Sequence, residues 1–234
     1  MTFIDPGKEW LIRALDLSMS TLLLISLSPL FFVVSIAIKL EDGGPVFFIQ
    51  ERVGHMGKLF RIIKFRSMIV DAEKKGSGLY IDGENDHRIT RVGRFMRKWS
   101  IDEFPQLINV LKGEMSLVGP RPAMAFQVAE YTARQRMRLL VRPGITGWAQ
   151  INGRNSLSWP ERIEKDIWYI KHRSLALNLK IIILTIPRIF VPEGLYGERE
   201  KYLLKADVNG QSGEQSSPIR SSMRESLEMS GKNL

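Results

Sequence analysis

Two adjacent carboxylates, Asp102 and Glu103, come just after an 11-residue stretch, Arg88 to Lys98, that holds five cationic side chains and no acid. In that company one carboxylate suits nucleophilic attack and the other suits helping it, on a substrate whose negative charge the cations hold. The same residues have a purely structural reading. Ser100-Ile101-Asp102-Glu103 fits a capping box, with Ser as N-cap and Glu at N3, and acids in a first turn suit the helix dipole. The pattern recurs at Ser158-Trp159-Pro160-Glu161, where nothing nearby suggests chemistry.

Further cations lie on either side of the pair. If extended, Phe60-Arg61-Ile62-Ile63-Lys64-Phe65-Arg66 puts Lys64 and Arg66 on one face and Phe65 on the other. Arg91, Arg94 and Arg97 recur every three residues and share a broad helical face. Both sets read equally as solvated surface. In Gly119-Pro120-Arg121-Pro122 two prolines stiffen the backbone around one guanidinium, whose fork suits a phosphate or diphosphate. A rigid connector before a helix over Ala123 to Val141 is the structural alternative. Arg142-Pro143-Gly144-Ile145-Thr146-Gly147 leads to Gln150, Asn152, Gly153, Arg154 and Asn155, polar groups that either bind a nucleotide or close a loop.

The 234 residues suffice for one sizeable domain with an appendage, and 44% hydrophobic content allows a real core. A formal charge of +9 implies a negatively charged partner: nucleic acid, anionic lipid or a phosphorylated substrate. The tail from Lys201 carries five basic and four acidic residues, so the basicity belongs to the folded part. Without cysteine there is no disulfide framework and no thiolate metal site, and His55, His87 and His172 are too scattered for a zinc centre.

The elements that must position these groups begin with Leu17 to Ile38, about 22 residues without charge and long enough for a membrane helix. Ser28-Pro29 near its middle predicts a kink. A bent spanning helix and a re-entrant hairpin that breaks there and returns both fit, and basic flanks on both sides favour the hairpin. Arg13 and Asp16, three apart, can pair with each other or reach headgroups. Next comes a β-hairpin, Val46 to Ile49 and Phe60 to Phe65, after the turn at Gly43-Gly44-Pro45. Gly76 to Asn85 reads as a mobile loop. Helices are predicted over Val92 to Trp99, from Ser100 toward Leu111 with a stop at Lys112-Gly113, and from Trp159 to His172. Leu175 to Val191 suits either the headgroup plane or a buried core. Beyond Tyr202 the composition predicts disorder. The expected fold class is α+β: a helix-rich, membrane-associated domain with a small hairpin and amphipathic interfacial helices, not a Rossmann sheet. Its divisions are a membrane hairpin (1–40), a catalytic domain (41–200) and a tail (201–234).

Four segments together resemble the bacterial sugar transferase family, the small monotopic phosphoglycosyl transferases. They are Lys64-Phe65-Arg66-Ser67-Met68, Ser100 to Leu107, Gly113 to Pro122, and Arg142 to Gly147, and the resemblance spans about residues 8 to 200. It implies transfer of a sugar phosphate from a UDP-sugar to a polyprenyl phosphate such as undecaprenyl phosphate, with release of UMP. It also implies a re-entrant helix broken at Ser28-Pro29, and a Mg²⁺-dependent aspartate nucleophile beside a glutamate, which correspond to Asp102 and Glu103. Lys64, Arg97 and Arg121 match the family's cationic positions around the phosphates, with Pro120 and Pro122 flanking the last. The implied location is the cytoplasmic face of the bacterial inner membrane, with the lipid bilayer as partner and a homodimer as a further candidate. Ile101 and Phe104 replace the usual leucines, and Glu114 stands where aspartate is common.

On that reading Asp102, ringed by cations, keeps a low pKa and stays ionised, and a helix N-terminus at the acids helps hold phosphate. Two alternatives stand beside it. A basic membrane-anchored scaffold for polysaccharide assembly shares the anchor and the charge without needing Asp102. Nucleic-acid binding fits the charge but lacks a recognition helix or an aromatic platform, so no nucleic-acid partner is expected.

Overall fold

The computed structural model describes residues 6–75, 81, 83, 85–153 and 156–190. The loop expected between Gly76 and Asn85 lies largely outside them, as does the whole tail from residue 201.

The first element, α1 (Pro6–Asp42), is a single helix of 37 residues, about 55 Å long at 1.5 Å per residue. It is apolar enough from Glu9 to Asp42 to cross a membrane. The backbone stays helical through Ser28 and Pro29, so residues 6–42 form one helix and not two separate arms. Proline removes the amide that would have bonded the Ile25 carbonyl. The Ser28 hydroxyl takes its place, donating to that same carbonyl at 2.8 Å. One apolar face of α1 stays exposed, at Leu22, Ile25, Phe32, Val33 and Leu40.

The other face lies on the rest of the protein along its length, with Ile12, Asp16 and Ser20 buried at one end and Val34 and Ile38 at the other. Both ends are tied down by polar bonds. Near the start, Arg13 donates to the carbonyls of Val110 (2.6 Å) and Leu111 (2.9 Å), and Asp16 accepts from Ser116 Oγ and the Leu117 amide. At the far end Glu41 accepts from the amides of Arg91 and Val92, while Arg66 grips Asp42 and the Pro45 carbonyl. Arg13 and Asp16 therefore hold the helix to its domain instead of pairing with each other. Arg66 works as an anchor, apart from Lys64.

The expected hairpin is present as β1 (Phe47–Val53) and β2 (Leu59–Phe65), antiparallel with Phe48 opposite Lys64 and Arg52 opposite Phe60. Then follow α2 (Arg91–Lys98), capped by the Thr90 hydroxyl, and α3 (Gln106–Lys112), which Gly113 ends in a left-handed conformation at φ 82°. After α3, β3 (Ser116–Val118) pairs in parallel with β4 (Gly144–Thr146), a pairing the sequence reading did not foresee. The helix expected over Ala123 to Val141 is broken into α4 (Ala125–Ala129) and a 3₁₀ segment from Gln135 to Leu140. Tyr131 and Arg138 turn inward there and replace an amphipathic surface stripe with a buried polar contact.

The remaining helices are α5 (Trp148–Ile151), α6 (Trp159–His172) and α7 (Leu175–Phe190). The capping box at Ser158 and Glu161 is formed, and α6 buries Ile163, Ile167 and Ile170 on one stripe. On α7, Ile181 is fully buried while Ile183 and Ile186 are exposed, so the helix joins the core along one face only. The main core gathers Val110, Met115, Ile170 and Ile181 with Leu23 and Leu27 of α1. Each such aliphatic side chain contributes about 1.5–3 kcal/mol through burial. The architecture is the expected helix-rich α+β class with two small sheets.

Candidate active site

The acids do not open an α-helix. Ser100 adopts a left-handed conformation (φ 55°) with no side-chain cap, and Ile101–Glu103 form a 3₁₀ turn ahead of α3. The capping-box expectation fails at Ser100 because Glu103 is committed elsewhere. Lys64 Nζ, from β2, donates to its Oε1 at 2.9 Å, and the Arg121 guanidinium forks both carboxylate oxygens at 2.6 and 3.1 Å. With no helix N-terminus at the acids, that source of phosphate binding is also absent.

Asp102 is 8% exposed and faces a cavity of about 660 Å³, also lined by Lys64, Arg97, Glu103, Arg121 and Pro122. No hydrogen bond or ion pair to its carboxylate is present among the described residues. The two acids are thus driven apart. Burial, with the like charge of Glu103 behind it, raises the pKa of Asp102 against the pull of Lys64, Arg97 and Arg121. Burial also works to raise Glu103, but Arg121 and Lys64 outweigh it and hold that carboxyl well below the usual range. The expectation of a low pKa at Asp102 is therefore corrected: burial and the neighbouring Glu103 outweigh Lys64, Arg97 and Arg121. One acid is tied and firmly ionised, the other free and poised, the split that assigns different roles to two neighbouring carboxyls.

Arg97 reaches the site because α2 lies almost on the chain after β2. Any Cβ on Gly93 would collide with the Ser67 carbonyl, and Arg97 Nη1 donates to Ser67 Oγ at 3.3 Å. Arg121 is set by the parallel pair: the Gly119 amide donates to Thr146 O and the Gly144 amide to Pro120 O, both at 2.9 Å. Pro120 braces that backbone and does not line the large cavity. Ser28 and Pro29 lie in α1, away from the cavity lining.

Several lining residues escaped the sequence reading. Arg52, on β1, has its pKa lowered to about 10 by burial and by Arg121, against Glu73 and Glu103. Strand alternation carries the signal for it, since Phe48, Gln50 and Arg52 share the hairpin face of Lys64. Arg138 is buried behind Arg121. Its Nη2 donates to the Arg121 carbonyl (2.9 Å) and to Asp166 (2.7 Å), and the guanidinium lies 5.3 Å from the Trp159 ring centre. Asp166 is pushed up to about 6, by burial first, with Arg138 opposing. No local motif marks that pair.

Among the described residues no three His, Asp or Glu side chains converge. The donor set fits Mg²⁺ only as that ion is commonly held, by one or two carboxylates with substrate phosphate oxygens completing the shell. Asp102 is the acid placed to take part.

Buried acid and clustered cations around one large cavity suit the handling of a phosphorylated substrate. Residues 7–192 match the bacterial sugar transferase family. The chain belongs to that family. It is 46% identical to the "Uncharacterized sugar transferase EpsL" of Bacillus subtilis, over 78% of this chain and 89% of that protein. It is also 46% identical to the "Undecaprenyl-phosphate glucose phosphotransferase" of Komagataeibacter xylinus, over 78% of this chain and 37% of that enzyme. The "UDP-glucose:undecaprenyl-phosphate glucose-1-phosphate transferase" of Escherichia coli is 43% identical over 79% of this chain and 41% of its own. The chain thus spans well under half the length of the latter two enzymes.

Proposed function

We propose that this protein transfers a sugar 1-phosphate from a UDP-sugar to polyprenyl phosphate, releasing UMP, as the first membrane step of glycoconjugate or exopolysaccharide synthesis. The observation that carries the reading is the free, buried Asp102 carboxylate beside a Glu103 held by Lys64 and Arg121. The names of the relatives support the class of substrates.

In the first half-reaction an Asp102 oxygen attacks the phosphorus bearing the sugar. The bond from that phosphorus to the bridging oxygen breaks, and UMP leaves with the oxygen. Lys64, Arg97 and Arg121 neutralise charge on the phosphoryl oxygens and the leaving group. Substrate phosphates compete for Lys64 and Arg121 and so release Glu103 from its ion pairs. The acceptor phosphate then attacks the same phosphorus, the bond to Asp102 breaks, and the carboxylate is regenerated. Glu103, once released, takes the proton of an acceptor that arrives protonated. Asp102 would help hold Mg²⁺, which would supply further charge neutralisation.

The acceptor is a lipid, so the site must lie at a bilayer surface. Both ends of α1 fixed on one domain, and an apolar face left outward between them, support association with the bilayer from one side. The cytoplasmic face is the side where nucleotide sugars are made.

The test is Asp102→Asn with purified protein, UDP-sugar, undecaprenyl phosphate and Mg²⁺. UMP release is expected to fall below detection, and a mass increase of one sugar phosphate is expected on residue 102 of the unsubstituted protein when acceptor is withheld. Full turnover by the variant would rule out the covalent route, whereas no UMP release by the unsubstituted protein would leave a non-catalytic scaffold as the reading.

A further inference from the structure

Several cations around the Asp102 cavity are matched by acids. Lys64 and Arg121 are bonded to Glu103, and Arg138 to Asp166. Arg52 lines the same cavity and is matched differently. Its Nη2 donates to the neutral Oε1 of Gln50, its Nε is buried without a partner, and no ion pair to it forms among the described residues. Gln50 also donates from Nε2 to Glu73 Oε1, so an uncharged amide stands between the cation and that acid. An enclosed guanidinium without a counter-charge costs stability. Such a cation in a cavity that takes anions is a candidate for binding one, and the arginine fork suits phosphate.

Its place in the hairpin says which anion it meets. Phe48 stands opposite Lys64, and Gln50 and Arg52 follow on that same face, about 7 and 13 Å further along β1. The bond to Gln50 bends the Arg52 guanidinium back toward the Lys64 end of the strand. There its charge bears on Arg121 and Glu103, while Lys64, Arg97 and Arg121 bear on Asp102. Arg52 thus extends the cationic lining beyond the group around the nucleophile. In-line displacement puts the attacking and leaving oxygens on opposite sides of the phosphorus. With Asp102 on one side, the UMP phosphate departs on the other, and the acceptor phosphate must arrive there to displace Asp102. A single anion subsite next to the attacked phosphorus therefore serves two substrates in turn.

We infer that Arg52 binds the phosphate at this subsite: that of UMP in the donor, then that of the polyprenyl phosphate. The inference rests on the transfer reading above and adds a residue that the two half-reactions share. Lys64 and Arg121 must leave Glu103 to meet a phosphate, whereas Arg52 has only the Gln50 amide to exchange for one.

The experiment uses the full chain with Mg²⁺ and reads the dissociation constant of UMP by calorimetry and the melting temperature. It also reads the KM of undecaprenyl phosphate, with whichever of UDP-glucose, UDP-galactose, UDP-N-acetylglucosamine and UDP-N-acetylgalactosamine turns over fastest. Arg52→Met is expected to weaken UMP binding and raise the acceptor KM, each by about tenfold or more, while melting no lower than the unsubstituted protein. Arg52→Lys keeps the charge without the fork, and both of its constants should fall in between. If Arg52→Met melts low or does not fold, the two constants are read on Arg52→Lys, where unchanged values overturn the inference. Values for Arg52→Met within about threefold of the unsubstituted protein overturn it as well. So does a change in only one of the two constants, because the subsite would then not be shared. Failure of the transfer reading is seen separately, as an unsubstituted protein that releases no UMP from any of the four donors, and the inference falls with it.

Discussion

Replacing Arg138 with methionine tests how the site is braced from behind. Arg138 and Asp166 are 4% and 2% exposed, and the guanidinium serves Asp166, the Tyr131 hydroxyl and the Arg121 carbonyl at once. Methionine fills much of the volume but leaves a buried carboxylate without its counter-charge, a change that costs about 3–5 kcal/mol. At about 2–4 °C per kcal/mol for a chain of this size, the melting temperature should fall by roughly 6–20 °C. The deficit should also depend on pH. Asp166 is raised to about 6 in the folded protein, so its ionised form penalises folding above that pH, and protonation relieves the penalty as pH falls toward the ordinary aspartate range. The variant should therefore lose less at pH 5 than at pH 8. Adding Asp166→Leu removes the orphaned charge and should recover part of the stability. What remains lost is the bonding of the Tyr131 hydroxyl and the Arg121 carbonyl, about 1–3 kcal/mol for each buried group. Donor turnover should stay low in the double variant, because the backbone under Arg121 is no longer held. Thermal unfolding followed at several pH values measures the first part, and UMP release the second. A single variant that melts with the unsubstituted protein at pH 8, or a double variant no more stable than the single, would refute the reasoning.

Three other outcomes are expected. Because Asp102 is raised by burial and by Glu103, UMP release should decline on the acid side at a higher pH than an ordinary carboxylate would give. Glu103→Gln should move that limb to lower pH and Lys64→Met to higher pH, and movement in one direction by both would contradict the assignment. Ser28→Ala should cost roughly 1–2 kcal/mol in a melting experiment in detergent, since the Ile25 carbonyl loses its only substitute for the proline's missing amide, whereas Ser28→Thr should be near neutral. Gly93→Ala should destabilise by about 1–3 kcal/mol by pushing α2 off Ser67. It should also lower turnover, because Arg97 moves with that helix; a variant that is destabilised yet fully active would separate Arg97 from the site.

What was legible in the sequence was whatever local forces decide. The hairpin, α2, α6 and α7 follow from alternation, helical stripes and stop signals, and their ends agree with the expected ones to within a few residues. The two capping-box signatures show where that legibility stops. Ser158 and Glu161 face nothing that competes, and the box forms. Ser100 and Glu103 carry the same pattern, but Lys64 and Arg121 claim the glutamate from 39 and 18 residues away, and the serine is turned left-handed instead. Long-range charge also broke the expected helix after Ala123, through Arg138, while burial and the neighbouring Glu103 raised the Asp102 pKa where the sequence had suggested a low one. The β3–β4 pair has three residues on each side, too few to show a period. The candidate acids, Lys64 and Arg121 were legible because the motifs that carry the family resemblance contain them, and Arg97 because it recurs at helical spacing with Arg91 and Arg94. Arg52 was open to strand alternation, whereas Arg138 and Asp166 belong to no motif and only the folded chain brings them in.

Tying α1 down at both ends means that this protein has no detachable anchor. Ile12, Val34 and Ile38 are interior residues, and Arg13 is what satisfies the last carbonyls of α3. Cutting the helix away to obtain a freely soluble enzyme would strip the lid from the core and unseat the helix that follows the acids. Removing the helix and unfolding the domain would then be a single event.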